Sequence, residues 1–227
     1  MPRRVFSTHE ERLEAFLRTH VYPVVTSDFC AGRSPVSVVG SLLDAGVRIV
    51  QIREKTMPDR PFLDLLRQVR EQTWEHGALL MVDDRVDAAL IAQADGVHLG
   101  QDDIPLPDAR RLAPDLLIGV STHNADEIRR AQDEGCSCLN IGPIFPTNTK
   151  QLTGIRFLGP DELKKLIPLV RVPFSVMGGI KYSHLAELKA AGAGRVAAVT
   201  AFTQAPDPGA EAAKWRAVLL SQDTCSG

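Results

Sequence analysis

Several short segments of the 227-residue chain carry cations, carboxylates and hydroxyls at the ends of apolar runs. One reads Gln51-Ile52-Arg53-Glu54-Lys55. Side chains alternate along a strand, so Gln51, Arg53 and Lys55 share one face, and Val50 and Ile52 take the other. Two converging cations repel each other unless an anion joins them. Phosphate or diphosphate suits the pair, because Arg can bind two oxygens at once and Lys acts as a point charge. The competing arrangement is an ion-pair network with Glu54 or a neighbouring carboxylate. The next two apolar runs end in Asp83-Asp84-Arg85 and in His98-Leu99-Gly100-Gln101-Asp102-Asp103. Carboxylates at adjacent strand ends, such as Asp84 and Asp103, can share Mg²⁺, which favours one or two carboxylates together with waters and phosphate oxygens. Taken singly, Asp84 could equally cap a helix and Asp103 close a turn. Beside Arg53 and Lys55, a metal–diphosphate site is the favoured reading.

Later segments add hydroxyls and glycines. Ser121-Thr122-His123-Asn124 offers Ser121 as a substrate contact and Asn124 or His123 as a helix cap. A Ser–His nucleophile pair there lacks an evident acid partner. In Gly142-Pro143-Ile144-Phe145-Pro146-Thr147-Asn148-Thr149-Lys150, two threonines and a lysine suit a phosphate, with a plain surface loop as the alternative. Gly178-Gly179 and Val199-Thr200 close the last two runs, where freed backbone N–H groups can face an anion. The pattern predicts two phosphate-bearing ligands, one a diphosphate on Mg²⁺ and the other a monophosphate near the chain's last two strands.

The elements that must position these residues form a repeating theme. Eight short apolar runs are expected as strands: 22–26, 48–53, 78–82, 96–99, 116–120, 138–141, 173–177 and 196–200. Helical periodicity lies between them, as in Phe62, Leu65, Leu66 and Val69, or Trp215, Val218 and Leu219. Strands alternating with helices imply parallel pairing and right-handed crossovers. Eight such units predict an α/β fold, the (β/α)₈ barrel, whose active site lies at the C-terminal ends of the strands. An open doubly wound sheet usually has fewer strands at this length. Residues 1–20 read as an added N-terminal helix over the barrel bottom, with Ser7 or Thr8 at capping-box spacing from Glu10 or Glu11. Residues 21–220 read as a single barrel and 221–227 as a polar tail. Pro206 to Gly209 reads as a helix-entry turn.

Composition excludes several classes. With 26 Lys plus Arg against 28 Asp plus Glu, the net charge is −2, too balanced for a protein that neutralises nucleic-acid phosphates. Residues are 44% hydrophobic and 24% charged, enough to bury a core and exclude general disorder. No apolar run approaches the roughly 20 residues of a membrane span, and the polar start lacks a secretory core. A cytoplasmic location is therefore expected, with Cys30, Cys136, Cys138 and Cys225 reduced.

Together these motifs, with Asp95-Gly96-Val97, Ile118-Gly119-Val120 and Gly178-Gly179-Ile180, resemble the thiamine-phosphate synthase family over roughly residues 20 to 210. The resemblance implies a barrel enzyme that joins 4-amino-5-hydroxymethyl-2-methylpyrimidine diphosphate to hydroxyethyl-methylthiazole phosphate, with Mg²⁺ as cofactor. It implies that Gln51, Arg53, Lys55, Asp83, Ser121 and Lys150 hold the pyrimidine diphosphate, with Arg53, Lys55, Ser121 and Lys150 acting in catalysis. Thr147, Asn148, Thr149, Gly179, Val199 and Thr200 would contact the thiazole phosphate, and Asp84 and Asp103 would bind the metal. Members of the family are often homodimers. Three positions depart from the family pattern. Asp83 stands where Asn is usual and brings negative charge close to the diphosphate. Thr200 replaces Ser and keeps the hydroxyl. Gly194-Arg195 replaces Asp-Gly, with Arg195 expected at the surface. Two rival readings are a thiazole tautomerase, with His123 as general acid/base, and a non-catalytic phosphate-binding barrel.

Overall fold

In the computed structural model, which describes residues 5–147 and 156–221, every expected apolar run is a strand. They are β1 (Val21–Val25), β2 (Ile49–Ile52), β3 (Leu79–Asp83), β4 (Gly96–Leu99), β5 (Leu117–Thr122), β6 (Cys138–Ile141), β7 (Phe174–Val176) and β8 (Val196–Ala198). Each pairs in parallel with its chain neighbour, and β1 closes on β8 with Tyr22 opposite Ala197, giving a closed barrel. The helices among the described residues are α1 (His9–Leu17), α2 (Pro35–Asp44), α3 (Asp59–Glu75), α4 (Val86–Ile91), α5 (Leu106–Leu112), α6 (Ala125–Asp133), α7 (Gly159–Leu166), α8 (Leu185–Ala190), α9 (Thr200–Thr203) and α10 (Pro208–Leu220). None is long and apolar enough to cross a membrane.

Alternation divides each strand between two cores. Val50 and Ile52 of β2, and Leu80 and Val82 of β3, join the large apolar layer beneath the helices. Their alternates Ile49, Leu79 and Met81 join Tyr22, Leu117, Cys138 and Ala197 inside the barrel. Helix α3 shows how the outer layer is filled. Phe62, Leu65, Leu66 and Val69 recur at helical spacing, and all four are buried. Helix α10 begins as its sequence directs, with Pro208 in the first turn and the Asp207 side chain accepting from the Ala210 N–H at 3.0 Å.

The N-terminal helix closes the bottom of the barrel. Thr8 caps α1 in a reciprocal capping box with Glu11. Phe16, fully buried, enters the interior cluster and meets the Tyr22 ring edge-on at 6.2 Å. Arg195 corrects the surface expectation. It is buried beneath α1, with its guanidinium 4.3 Å from the Phe16 ring centre. It donates to the backbone oxygens of Thr19, Phe174 and Leu17 and to the Thr19 hydroxyl. Burial lowers its pKa to about 10. The expected exposure failed because this Arg is consumed by carbonyls from the end of α1, the turn after it and β7, which only the fold brings together.

Two strand ends also differ. β5 runs two residues further than expected, to Thr122, so Ser121 lies within the ladder opposite Asn140. β8 stops at Ala198, and Thr200 opens the short helix α9 instead of ending the strand.

Candidate active site

The C-terminal ends of the strands surround one cleft that opens to solvent. Gln51, Arg53, Lys55, Asp83, Asp84, Asp103 and Ser121 line it on one side. Thr147, Gly179, Val199 and Thr200 line the other. Asn148, Thr149 and Lys150 lie outside the described residues. The cleft therefore collects every described residue singled out in the sequence for ligand contact.

Alternation past the end of β2 places the cations. The Arg53 N–H still bonds to Val25 at 2.9 Å, so Arg53 and Lys55 continue the inward face that Gln51 begins. The carboxylate they share is Asp83, the last residue of β3. Its Oδ2 lies 3.3 Å from Arg53 Nε and 3.1 Å from Lys55 Nζ, and its Oδ1 accepts from Gln51 Nε2 at 2.7 Å. Gln51 in turn accepts from the Tyr22 hydroxyl at 2.9 Å. Burial acts to lower the Lys55 ammonium, but Asp83 and Asp84 outweigh it and hold its pKa above the ordinary lysine value. The ion-pair alternative weighed from the sequence is thus realised with Asp83 and Asp84. Glu54 instead accepts from the Ser27 N–H and hydroxyl at 2.7 and 2.6 Å.

Asp84 and Asp103 meet across the β3–β4 mouth. Asp84 is not the cap of α4, a place taken by Arg85 without a side-chain bond. Its φ of +59° is left-handed, a conformation that Asp tolerates and that active sites often retain. The Asp84 N–H donates to His98 O at 2.8 Å, which fixes the turn, and the carboxylate pairs with Lys55. Asp103 accepts from the Gly100 N–H at 2.6 Å, so it does close its own turn. A Cβ on Gly100 would sit 2.8 Å from that carboxylate, so a larger residue there would push the Asp103 side chain aside. Burial first, and then the hydrogen-bonding Asp84 carboxyl, push the Asp103 pKa up. Two carboxylates held this close repel unless a proton or a cation sits between them. A hard divalent cation that takes one or two carboxylates fits this pair.

The floor of the cleft is polar and buried. His98 Nε2 and Ser121 Oγ are 2.9 Å apart, and Gln101 Nε2 donates to Ser121 O at 2.5 Å. The histidine beside Ser121 is therefore His98 of β4, not His123. His123 Nδ1 lies 2.8 Å from Glu127, and Asn124 caps α6 through the Asp126 and Glu127 N–H groups. Asn140 also lines the floor. Tyr22, His98 and Asn140 were given no site role from the sequence. The available signal was a lone polar residue inside an apolar run: Cys138-Leu139-Asn140-Ile141 and Gly96-Val97-His98-Leu99.

On the far rim, Gly179 has φ +61°, and a Cβ there would meet Pro146 O at 2.3 Å. The Gly-Gly turn is thus demanded by packing against the β6 loop, which brings that loop onto the end of β7.

The profile of the family described as thiamine monophosphate synthase matches residues 21–202. A thiamine-phosphate synthase from Pelotomaculum thermopropionicum is 36% identical over 212 residues, 93% of this chain and 97% of the relative. One from Haloquadratum walsbyi is 40% identical over 207 residues, 90% of this chain and 92% of the relative. The solved thiamine phosphate pyrophosphorylase from Pyrococcus furiosus superposes with a TM-score of 0.81 at 31% identity, covering 88% of this chain and 95% of the other. With the fold, the cleft and these relatives in agreement, the chain belongs to the thiamine monophosphate synthase family.

Proposed function

We propose that the cleft joins an aminopyrimidine methyl diphosphate to a thiazole phosphate, releasing thiamine phosphate and diphosphate. The observation that carries this reading is the convergence of Arg53 and Lys55 with the Asp84–Asp103 pair at one rim. Arg53 and Lys55 bind the diphosphate oxygens, exchanging Asp83 for the substrate. The C–O bond to the diphosphate breaks, and its electron pair leaves with that group. The pyrimidine methylene cation is then attacked by the thiazole nitrogen, whose lone pair makes the new C–N bond. Cations aimed where charge develops favour the transition state over the ground state. Asp84 and Asp103 would hold Mg²⁺, which would supply Lewis-acid neutralisation of the departing diphosphate. Ser121 contacts the pyrimidine substrate from the floor. Thr147, Gly179, Val199 and Thr200 hold the thiazole phosphate on the opposite rim, and the spacing of the two groups removes much of the entropy of encounter. No general base is required.

Incubation of the purified protein with both substrates and Mg²⁺ tests the reading. Formation of thiamine phosphate with equimolar diphosphate supports it. Isomerisation of the thiazole alone, or binding without turnover, would replace it.

A further inference from the structure

Asn140 is a buried polar group whose oxygen has no partner. It lies mid-strand in β6, between Ser121 of β5 and Ser175 of β7, and is 5% exposed. Its Nδ2 makes only a 3.6 Å contact with Met177 Sδ, and Oδ1 accepts no hydrogen bond. Buried acceptors are rarely left unmade, because desolvation without a partner is costly. Packing does not call for an amide here, since Cys138 on the same face of β6 packs into the apolar interior. The neighbouring floor groups are already engaged. His98 and Ser121 bond each other, and the Gln51 amide is divided between Tyr22 and Asp83.

We infer that Asn140 Oδ1 accepts an N–H from the exocyclic amino group of the pyrimidine substrate and selects an aminopyrimidine over its oxo counterpart. The inference rests on the synthase reading above. Of the two substrates, only the pyrimidine carries N–H donors; the thiazole phosphate offers none to a buried acceptor. An oxo group in place of the amine could be met only by turning the amide, which would set Oδ1 against the Met177 sulfur, two acceptors facing each other. Asn140 is thus a specificity-determining residue, at a distance from the groups that withdraw the diphosphate.

The test is steady-state kinetics and calorimetric binding with the amino and 4-oxo pyrimidine diphosphates, on the wild type, Asn140→Leu and Asn140→Asp. In Asn140→Leu the KM for the aminopyrimidine should rise by about tenfold, as expected for one lost hydrogen bond to a buried group. The KM for thiazole phosphate should hold, and the amino/oxo ratio of kcat/KM should fall by about the same factor. Asn140→Asp, which keeps an acceptor, should retain the preference. An unchanged amino/oxo ratio in Asn140→Leu, or KM values that rise together for both substrates, would overturn the inference. Equal binding of the two pyrimidines by the wild type would overturn it without any variant. Absence of wild-type turnover would instead sink the synthase reading.

Discussion

The Asp83 carboxylate lies 3.1 Å from the Lys55 ammonium and shares it with Asp84. The same carboxylate sits 3.3 Å from Arg53 Nε. An internal anion therefore competes for the cations that the diphosphate needs. Replacing Asp83 by Asn keeps the shape and an acceptor for Gln51 but removes the charge. Asp83→Asn should bind inorganic diphosphate several-fold more tightly by calorimetry and lower the KM for the pyrimidine substrate. A large loss of affinity would show that the acid has a role of its own.

The Asp84–Asp103 pair should govern the response to magnesium. Asp84→Ala or Asp103→Asn is expected to lower kcat by about a hundredfold or more, the scale of removing one electrostatic stabiliser. Each should also move the Mg²⁺ concentration at half-maximal rate upward. Unchanged rates at every Mg²⁺ concentration would remove that residue from the metal site.

Arg195 should matter to stability and not to chemistry. Arg195→Met keeps length and apolar contact with Phe16 but leaves the carbonyls of Leu17, Thr19 and Phe174 without their donor. The loss should be about 2–4 kcal/mol in urea unfolding, from several unpaired buried acceptors. Thermal or urea midpoints within error of the wild type would refute the account.

Tyr22 gives an alkaline signature. Burial, with smaller contributions from Cys138 and Asp83, raises its phenol well above 10. The folded-state pKa exceeds the unfolded one, so this contribution to stability is intact below about pH 10 and is lost as pH rises beyond it. In a spectrophotometric titration, wild type minus Tyr22→Phe should show no phenolate signal near pH 10. The signal should appear only with alkaline unfolding. A difference signal titrating at pH 10 in folded protein would disprove it.

Much of this architecture was legible in the residues, for identifiable reasons. Parallel strands buried on both faces are continuous apolar runs, so β1 to β8 stood out, and the polar residues at their ends marked the mouth. Alternation put Gln51, Arg53 and Lys55 on one face before any coordinates. What resisted was partnership. The sequence offers Glu54 as the adjacent acid for the cations, yet pairing across β2 and β3 delivers Asp83, and Glu54 turns to Ser27. It offers His123 two residues from Ser121, yet the ladder brings His98. Arg195 could not be assigned to the interior because most of its acceptors, at Leu17 and Thr19, come from the segment around α1, far earlier in the chain. Asn140 stands out in the sequence only as a lone amide inside an apolar run, which is no motif; the emptiness around its oxygen gives it a role.

Phe16 and Arg195 act as a stopper at the foot of the barrel, so among the described residues its opening is the mouth at the strand ends. Both reactants must arrive, and both products depart, by the same route.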